Sequence, residues 1–60
     1  MLKFKAYLVE NGIKQKEVSD LLGLTLPCFN RKLNGKEPFT FEQIKTICKH
    51  YNISADEYFI

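Results

Sequence analysis

This 60-residue chain predicts an all-α domain, a compact five-helix bundle, on three observations. Apolar residues recur at three- and four-residue spacings through successive segments, the stripe that a short helix buries. The apolar-polar alternation of a strand is not sustained anywhere. Residues that tolerate positive φ, Asn11-Gly12, Gly23, Asn34-Gly35 and Asn52, stand where helices would end. With 45% hydrophobic residues, the chain can fill one small core and not two, so residues 1–60 read as a single domain.

The first segment, residues 2 to 10, places Phe4 and Leu8 at i, i+4 with Val9 beside them. The second opens near Gln15, sets Val18, Leu21 and Leu22 at i, i+3, i+4, and stops at Gly23. Leu26, Phe29 and Leu33 give the third its stripe. Thr25 can cap this third helix. Pro27, however, pushes Leu26 away from helical angles while itself suiting a first turn, so a start at 26 or at 27 fits the sequence. Thr40-Phe41-Glu42-Gln43 has the form of a capping box and opens a fourth helix with Ile44, Ile47, Cys48 and Tyr51 on one face. Ser54-Ala55-Asp56-Glu57 has the same form and opens a short fifth helix. Helices this short are unstable alone in water, so they must share a core. Its expected members are Phe4, Leu8, Ile13, Val18, Leu21, Leu22, Phe29, Leu33, Phe41, Ile44, Ile47, Tyr51, Ile53 and Phe59.

The net charge of +2 is too small to diagnose a polyanion binder, but its distribution is uneven. Residues 1–36 hold seven cations (Lys3, Lys5, Lys14, Lys16, Arg31, Lys32, Lys36) against Glu10, Glu17 and Asp20, a net +4. Residues 37–60 hold Lys45 and Lys49 against Glu37, Glu42, Asp56 and Glu57, a net −2. One part is suited to attract polyanion and the other is not.

Cys28 and Cys48 form no C-x-x-C pair, and with His50 they fall short of the four ligands of a structural zinc site. No metal, cofactor or small-molecule ligand is expected, and both thiols read as small half-buried side chains. One histidine, no glycine-rich phosphate loop and no paired carboxylates at a useful spacing argue against an enzyme. No apolar run approaches the roughly 18 residues of a membrane span, and no secretory signal opens the chain. The expectation is a soluble, cytoplasmic protein with no membrane partner.

Residues 15 to 34 supply a helix, a turn at Gly23 and a second helix, which is the helix-turn-helix arrangement. Its wording is more specific. Gly12-Ile13-Lys14-Gln15-Lys16-Glu17-Val18-Ser19-Asp20-Leu21-Leu22-Gly23-Leu24-Thr25, followed by Phe29-Asn30-Arg31-Lys32-Leu33-Asn34-Gly35-Lys36, resembles the phage repressor and Cro-type helix-turn-helix proteins, the XRE family. The resemblance continues through Phe41-Glu42-Gln43-Ile44 and Asn52-Ile53-Ser54-Ala55-Asp56-Glu57-Tyr58-Phe59, nearly the whole chain. It implies a lambda-repressor-like DNA-binding domain with the helix-turn-helix formed by helices 2 and 3. The function it implies is a sequence-specific transcriptional regulator of phage or mobile-element type, a nucleoid-associated homodimer that represses from a palindromic operator in double-stranded DNA.

By that resemblance Leu26, Pro27, Asn30 and Arg31 face the bases. Arg31 can donate two parallel bonds to guanine, and Asn30 can both donate to and accept from adenine. Gln15, at the start of the second helix, and Asn34, Gly35 and Lys36, past the third, match the family's phosphate anchors, with Lys14, Lys16 and Lys32 adding charge. Such contacts position a protein without reading sequence. Two departures stand out. Leu26 and Pro27 occupy positions that are usually polar and offer only apolar contact, as to thymine methyl groups. Lys14 replaces the usual Ser, Thr or Asn cap, a loss of about 1 kcal/mol that brings a cation. The apolar tip leaves an alternative open: a protein-interaction module on the same fold, antitoxin-like or anti-repressor. The segment Tyr58-Phe59-Ile60 is either a dimer surface or a fifth helix closing the monomer core.

Overall fold

Residues 3–59 are described in the computed structural model, and they form α1 (Lys3–Glu10), α2 (Gln15–Leu22), α3 (Leu26–Leu33), α4 (Phe41–Tyr51) and α5 (Ala55–Tyr58). Among the described residues there is no strand, and the five-helix architecture is the predicted one. Leu2 and Ile60, assigned above to the first helix and to the C-terminal apolar segment, lie outside the described residues. None of the described helices is long and apolar enough to cross a membrane.

Local backbone chemistry sets where the helices stop. After α2, the Gly23 N–H donates to the Asp20 carbonyl (3.2 Å) and the Leu24 N–H to the Ser19 carbonyl (2.9 Å). This Schellman closure needs a left-handed residue, and Gly23 supplies it at φ 69°. α4 ends on Asn52 at φ 57°, and the Ile53 N–H reaches back to the Cys48 carbonyl at 3.0 Å. In both turns the next residue is apolar, and Leu24 and Ile53 pack against the core. The turn that ends the helix thus also aims a hydrophobe inward. A Cβ at Gly23 would meet no atom within 4 Å, so Gly23→Ala is expected to cost only backbone strain, about 1–2 kcal/mol. A urea titration checks it: a lowered midpoint at unchanged slope is the expected result.

Helix starts follow the sequence twice and depart from it once. α3 begins at Leu26, with the Thr25 Oγ1 accepting from the Cys28 N–H at 3.4 Å and Pro27 accommodated in the first turn. α4 has both bonds of its capping box, Gln43 N–H to Thr40 Oγ1 at 3.2 Å and Thr40 N–H to Gln43 Oε1 at 3.0 Å. The second expected box is not formed, because Ser54 makes no side-chain cap bond. α5 is a single turn of four residues, held by the packing of its end and not by its start.

Phe4, Leu8, Val18, Phe29, Leu33 and Ile47 are fully buried, and Tyr7, Ile13, Leu22, Leu24, Phe39, Tyr51, Ile53, Tyr58 and Phe59 pack around them. Aromatic rings link the ends of the chain to its middle. Tyr58 meets Tyr7 (centroids 5.1 Å), Phe4 meets Phe59 (5.1 Å), Phe59 meets Phe39 (5.4 Å) and Phe39 meets Phe29 (6.0 Å). Tilted and edge-on pairs of this kind add to the effect of burial. Tyr58 and Phe59, both half-buried, therefore help to close the monomer core.

Three expected core residues are placed elsewhere. Phe41 is 76% exposed, and Leu21 and Ile44 are half-buried at the margin, outside the core cluster. The buried stretch of α4 centres on Ile47 and Tyr51, so Ile44 falls on its rim and Phe41, a turn further, falls beyond it. Phe39 takes the inward place instead. It precedes the Thr40 cap and lines the same hollow as Ile44, the two positions that a hydrophobic staple joins across a helix start. Phe41→Ser is accordingly expected to change stability by no more than about 0.5 kcal/mol. Phe39→Ala should cost about 2–3 kcal/mol, somewhat less than a fully buried phenylalanine. Parallel thermal melts of the two variants separate them.

Ser19 is 1% exposed. Its Oγ donates to the Lys16 carbonyl at 2.9 Å, so a polar atom is buried satisfied. A side chain this small lets α2 lie close against α3 and α4, on both of which it packs.

Candidate nucleic-acid interface

α3 has two faces. Phe29 and Leu33 are buried and anchor it, while Pro27 and Arg31, one turn apart, are exposed with Leu26 at 45% exposure beside them. Eight residues make a helix about 12 Å long, and the major groove of B-DNA, about 12 Å wide, admits one helix. The side chains expected to meet bases are therefore on or beside the outward face, but they are not equally free.

Asn30 is half-buried and tied on both sides. Its Nδ2 donates to Gln15 Oε1 at 3.1 Å, and its Oδ1 accepts from Asn34 Nδ2 at 3.0 Å. Asn34 Nδ2 also donates to the Asn30 carbonyl at 3.0 Å, and Asn34 Oδ1 accepts from Lys5 Nζ at 3.0 Å. A polar ladder Gln15–Asn30–Asn34–Lys5 thus fastens the start of α2, the middle and end of α3, and α1 to one another. Asn30 cannot turn both donor and acceptor edges to an adenine without breaking it. Gln15 accepts through Oε1, a bond that does not use its own side-chain N–H donors.

Arg31 is the exposed cation of α3. Its Nε donates to Glu37 Oε1 at 2.8 Å. The hydrogen bond and the charge of Arg31 hold the Glu37 carboxyl below its ordinary range, and the same contact raises the guanidinium. Nε is the nitrogen that Glu37 engages, which leaves Nη1 and Nη2 as further donors.

The start of α2 has an open first turn. Lys14 stands at the cap position and gives no side-chain cap bond, so the amides of Gln15 and Lys16 have no side-chain acceptor and suit an anion. Lys14 and Lys16 are exposed, and Lys16 lies 3.4 Å from Asp20 in a solvent-facing pair that solvent screens.

The second anchor differs from the expectation. The amides of Asn34, Gly35 and Lys36 donate to the carbonyls of Asn30 (3.1 Å), Lys32 (3.2 Å) and Arg31 (3.0 Å). They close α3 and are not presented to a phosphate. The exposed side chain of Lys36 is what that end offers. Lys32 is also displaced from its expected role: it is 8% exposed, and its Nζ donates to the Pro38 carbonyl at 2.9 Å. Its ammonium holds the loop after α3 in place, where a phosphate contact needs a cation in solvent.

Sequence reasoning missed two participants. Lys5 is one cation among seven in residues 1–36, with no local pattern to mark its reach to Asn34 across 29 positions. Glu37 belongs by sequence to the acidic part of the chain, yet it sits against the one arginine of the basic part.

The family model described as BetR domain matches residues 5–60, from within α1 through α5. It belongs to a group of small helical, helix-turn-helix-like domains. No curated protein and no solved structure matches the chain.

Proposed function

The chain belongs to the BetR domain family, and from that premise we propose that it is a sequence-specific double-stranded DNA-binding regulator of the phage repressor and Cro type. α3 enters the major groove, Arg31 reads guanine, and Leu26 and Pro27 pack on thymine methyl groups. Gln15, the open first turn of α2, Lys14, Lys16 and Lys36 hold the phosphate backbone. Two copies related by a two-fold axis meet half-sites about 34 Å apart, one turn of duplex. The observation that carries the reading is Arg31, exposed on the face of α3 opposite Phe29 and Leu33, with the uncapped start of α2 joined to the same helix through Gln15 and Asn30. α5, the acidic helix with Asp56 and Glu57, is turned away from the polyanion in this reading. No catalytic role, cofactor or membrane partner is part of this proposal.

Selection of bound duplexes from a random library, followed by affinity measurement across a salt series, tests it. Three cations per protomer and a counterion slope near −0.9 each give a log K against log salt slope of about −3 per half-site. Recovered sequences should form an inverted repeat with guanine in each half. Absence of enrichment, or binding indifferent to salt, sinks the reading.

The exposed Leu26 favours one other reading, a module that docks a protein through the tip of α3. A single stoichiometric protein partner, together with no duplex binding at low salt, would select it.

A further inference from the structure

Resting on the DNA-binding reading, we propose that Glu37 is the positioning residue that makes Arg31 a reader of guanine and withholds it from the phosphate backbone. Glu37 is held in register with α3 from both sides. On one side the Lys36 N–H is bonded to the Arg31 carbonyl at 3.0 Å. On the other, the Pro38 carbonyl is held at 2.9 Å by the buried Lys32. Both tethers come from α3, so the loop carries Glu37 to a fixed place beside the arginine in the last turn of the helix. The carboxylate takes Nε at 2.8 Å. That leaves the Nη1–Nη2 edge, which can give the two parallel bonds that O6 and N7 of guanine accept.

The pair contributes little to holding the fold. The side chains of Arg31 and Glu37 are 52% and 42% exposed, and solvent screens an ion pair this accessible. Its consequence lies in recognition. A lone flexible arginine on a groove-facing helix binds any phosphate within reach. A carboxylate at its Nε repels phosphate, offsets one charge, and favours the side-chain orientation that keeps the 2.8 Å bond. A guanine edge, which carries no net charge, does not meet that repulsion. Glu37 thereby lowers affinity for arbitrary duplex while preserving it for a guanine-bearing half-site, a form of discrimination by a repulsive element.

The test uses the full chain as wild type, Glu37→Gln, Arg31→Ala and the double variant. The probes are the duplex selected from the library, the same duplex with the Arg31-dependent G·C pair changed to A·T, and an unrelated duplex. Glu37→Gln is expected to lower the preference for G·C over A·T by about tenfold, a fraction of what a bidentate contact can discriminate. Binding to the unrelated duplex should tighten, with a salt slope steeper by about 0.9 per protomer. In the Arg31→Ala background the Glu37 change should leave the preference unaltered. Equal preference in wild type and Glu37→Gln overturns the proposal, and so does an equal change in the Arg31→Ala background, which would make Glu37 a bulk charge. Thermal midpoints within a few degrees of wild type are expected; a large fall would make Glu37 a structural residue and also overturn it. If the wild type itself shows no base preference, the DNA-reading premise fails, a result visible before any Glu37 variant is measured.

Discussion

Phe29→Ala leaves the chain without a cooperative unfolding transition. Phe29 is 0% exposed, on the core face of α3, and its ring stands edge-on to Phe39 at 6.0 Å. Truncating a buried phenylalanine costs about 3–5 kcal/mol, part transfer and part cavity. Domains near this size rarely have more than about 3–5 kcal/mol to lose. The cavity would open where the ring chain from Tyr58 through Tyr7, Phe4, Phe59 and Phe39 reaches α3, so little neighbouring structure can collapse into it. Far-UV circular dichroism against temperature checks the outcome: a broad, sloping loss of helix signal is expected in place of a sigmoid. A sigmoid displaced by only a few degrees would mean that α3 is held mainly by something other than this face.

Arg31→Ala is expected to remove the base preference of an otherwise folded protein. Arg31 is exposed, and its partner Glu37 lies outside the core, so the substitution should leave the melting midpoint almost unchanged. A bidentate arginine–guanine contact discriminates by about 1–3 kcal/mol. Two symmetric half-sites double that, giving a loss of about 30-fold to 20,000-fold in operator affinity relative to unrelated duplex. Lys36→Gln gives the contrast: it should weaken all duplexes alike and make the salt slope shallower by about 0.9 per protomer. Competition binding with matched and mismatched duplexes distinguishes the two patterns. If Arg31→Ala weakens every duplex equally, the arginine is a phosphate contact and the reading of bases must lie elsewhere on α3.

The two expectations differ in how far local sequence could carry them. Phe29 is identifiable because Leu26, Phe29 and Leu33 repeat at helical spacing, and burial follows period. Phe41 obeys the same spacing rule and is nonetheless 76% exposed, because period says which residues share a face and not how far along the helix its neighbours extend. Phe39, outside any stripe, was assigned no role, yet its place just before the Thr40 cap was a readable signal. At the candidate interface the types and places of Arg31, Gln15 and Lys14 were legible. What each side chain is bonded to was not.

Sequence alone determined where most of the helices start and stop. The Thr25 and Thr40 caps and the left-handed residues Gly23 and Asn52 act through bonds spanning five residues or fewer, so the boundaries are set locally although the stability of the helices comes from the shared core. Tertiary structure alone decided which polar groups remain available. Asn30 is tied to Gln15 across 15 positions and Asn34 to Lys5 across 29, and the buried Lys32 grips Pro38 while Glu37 meets Arg31. Those partnerships depend on the relative placement of helices and of the loop after α3, which only the packing of the shared aromatic core establishes.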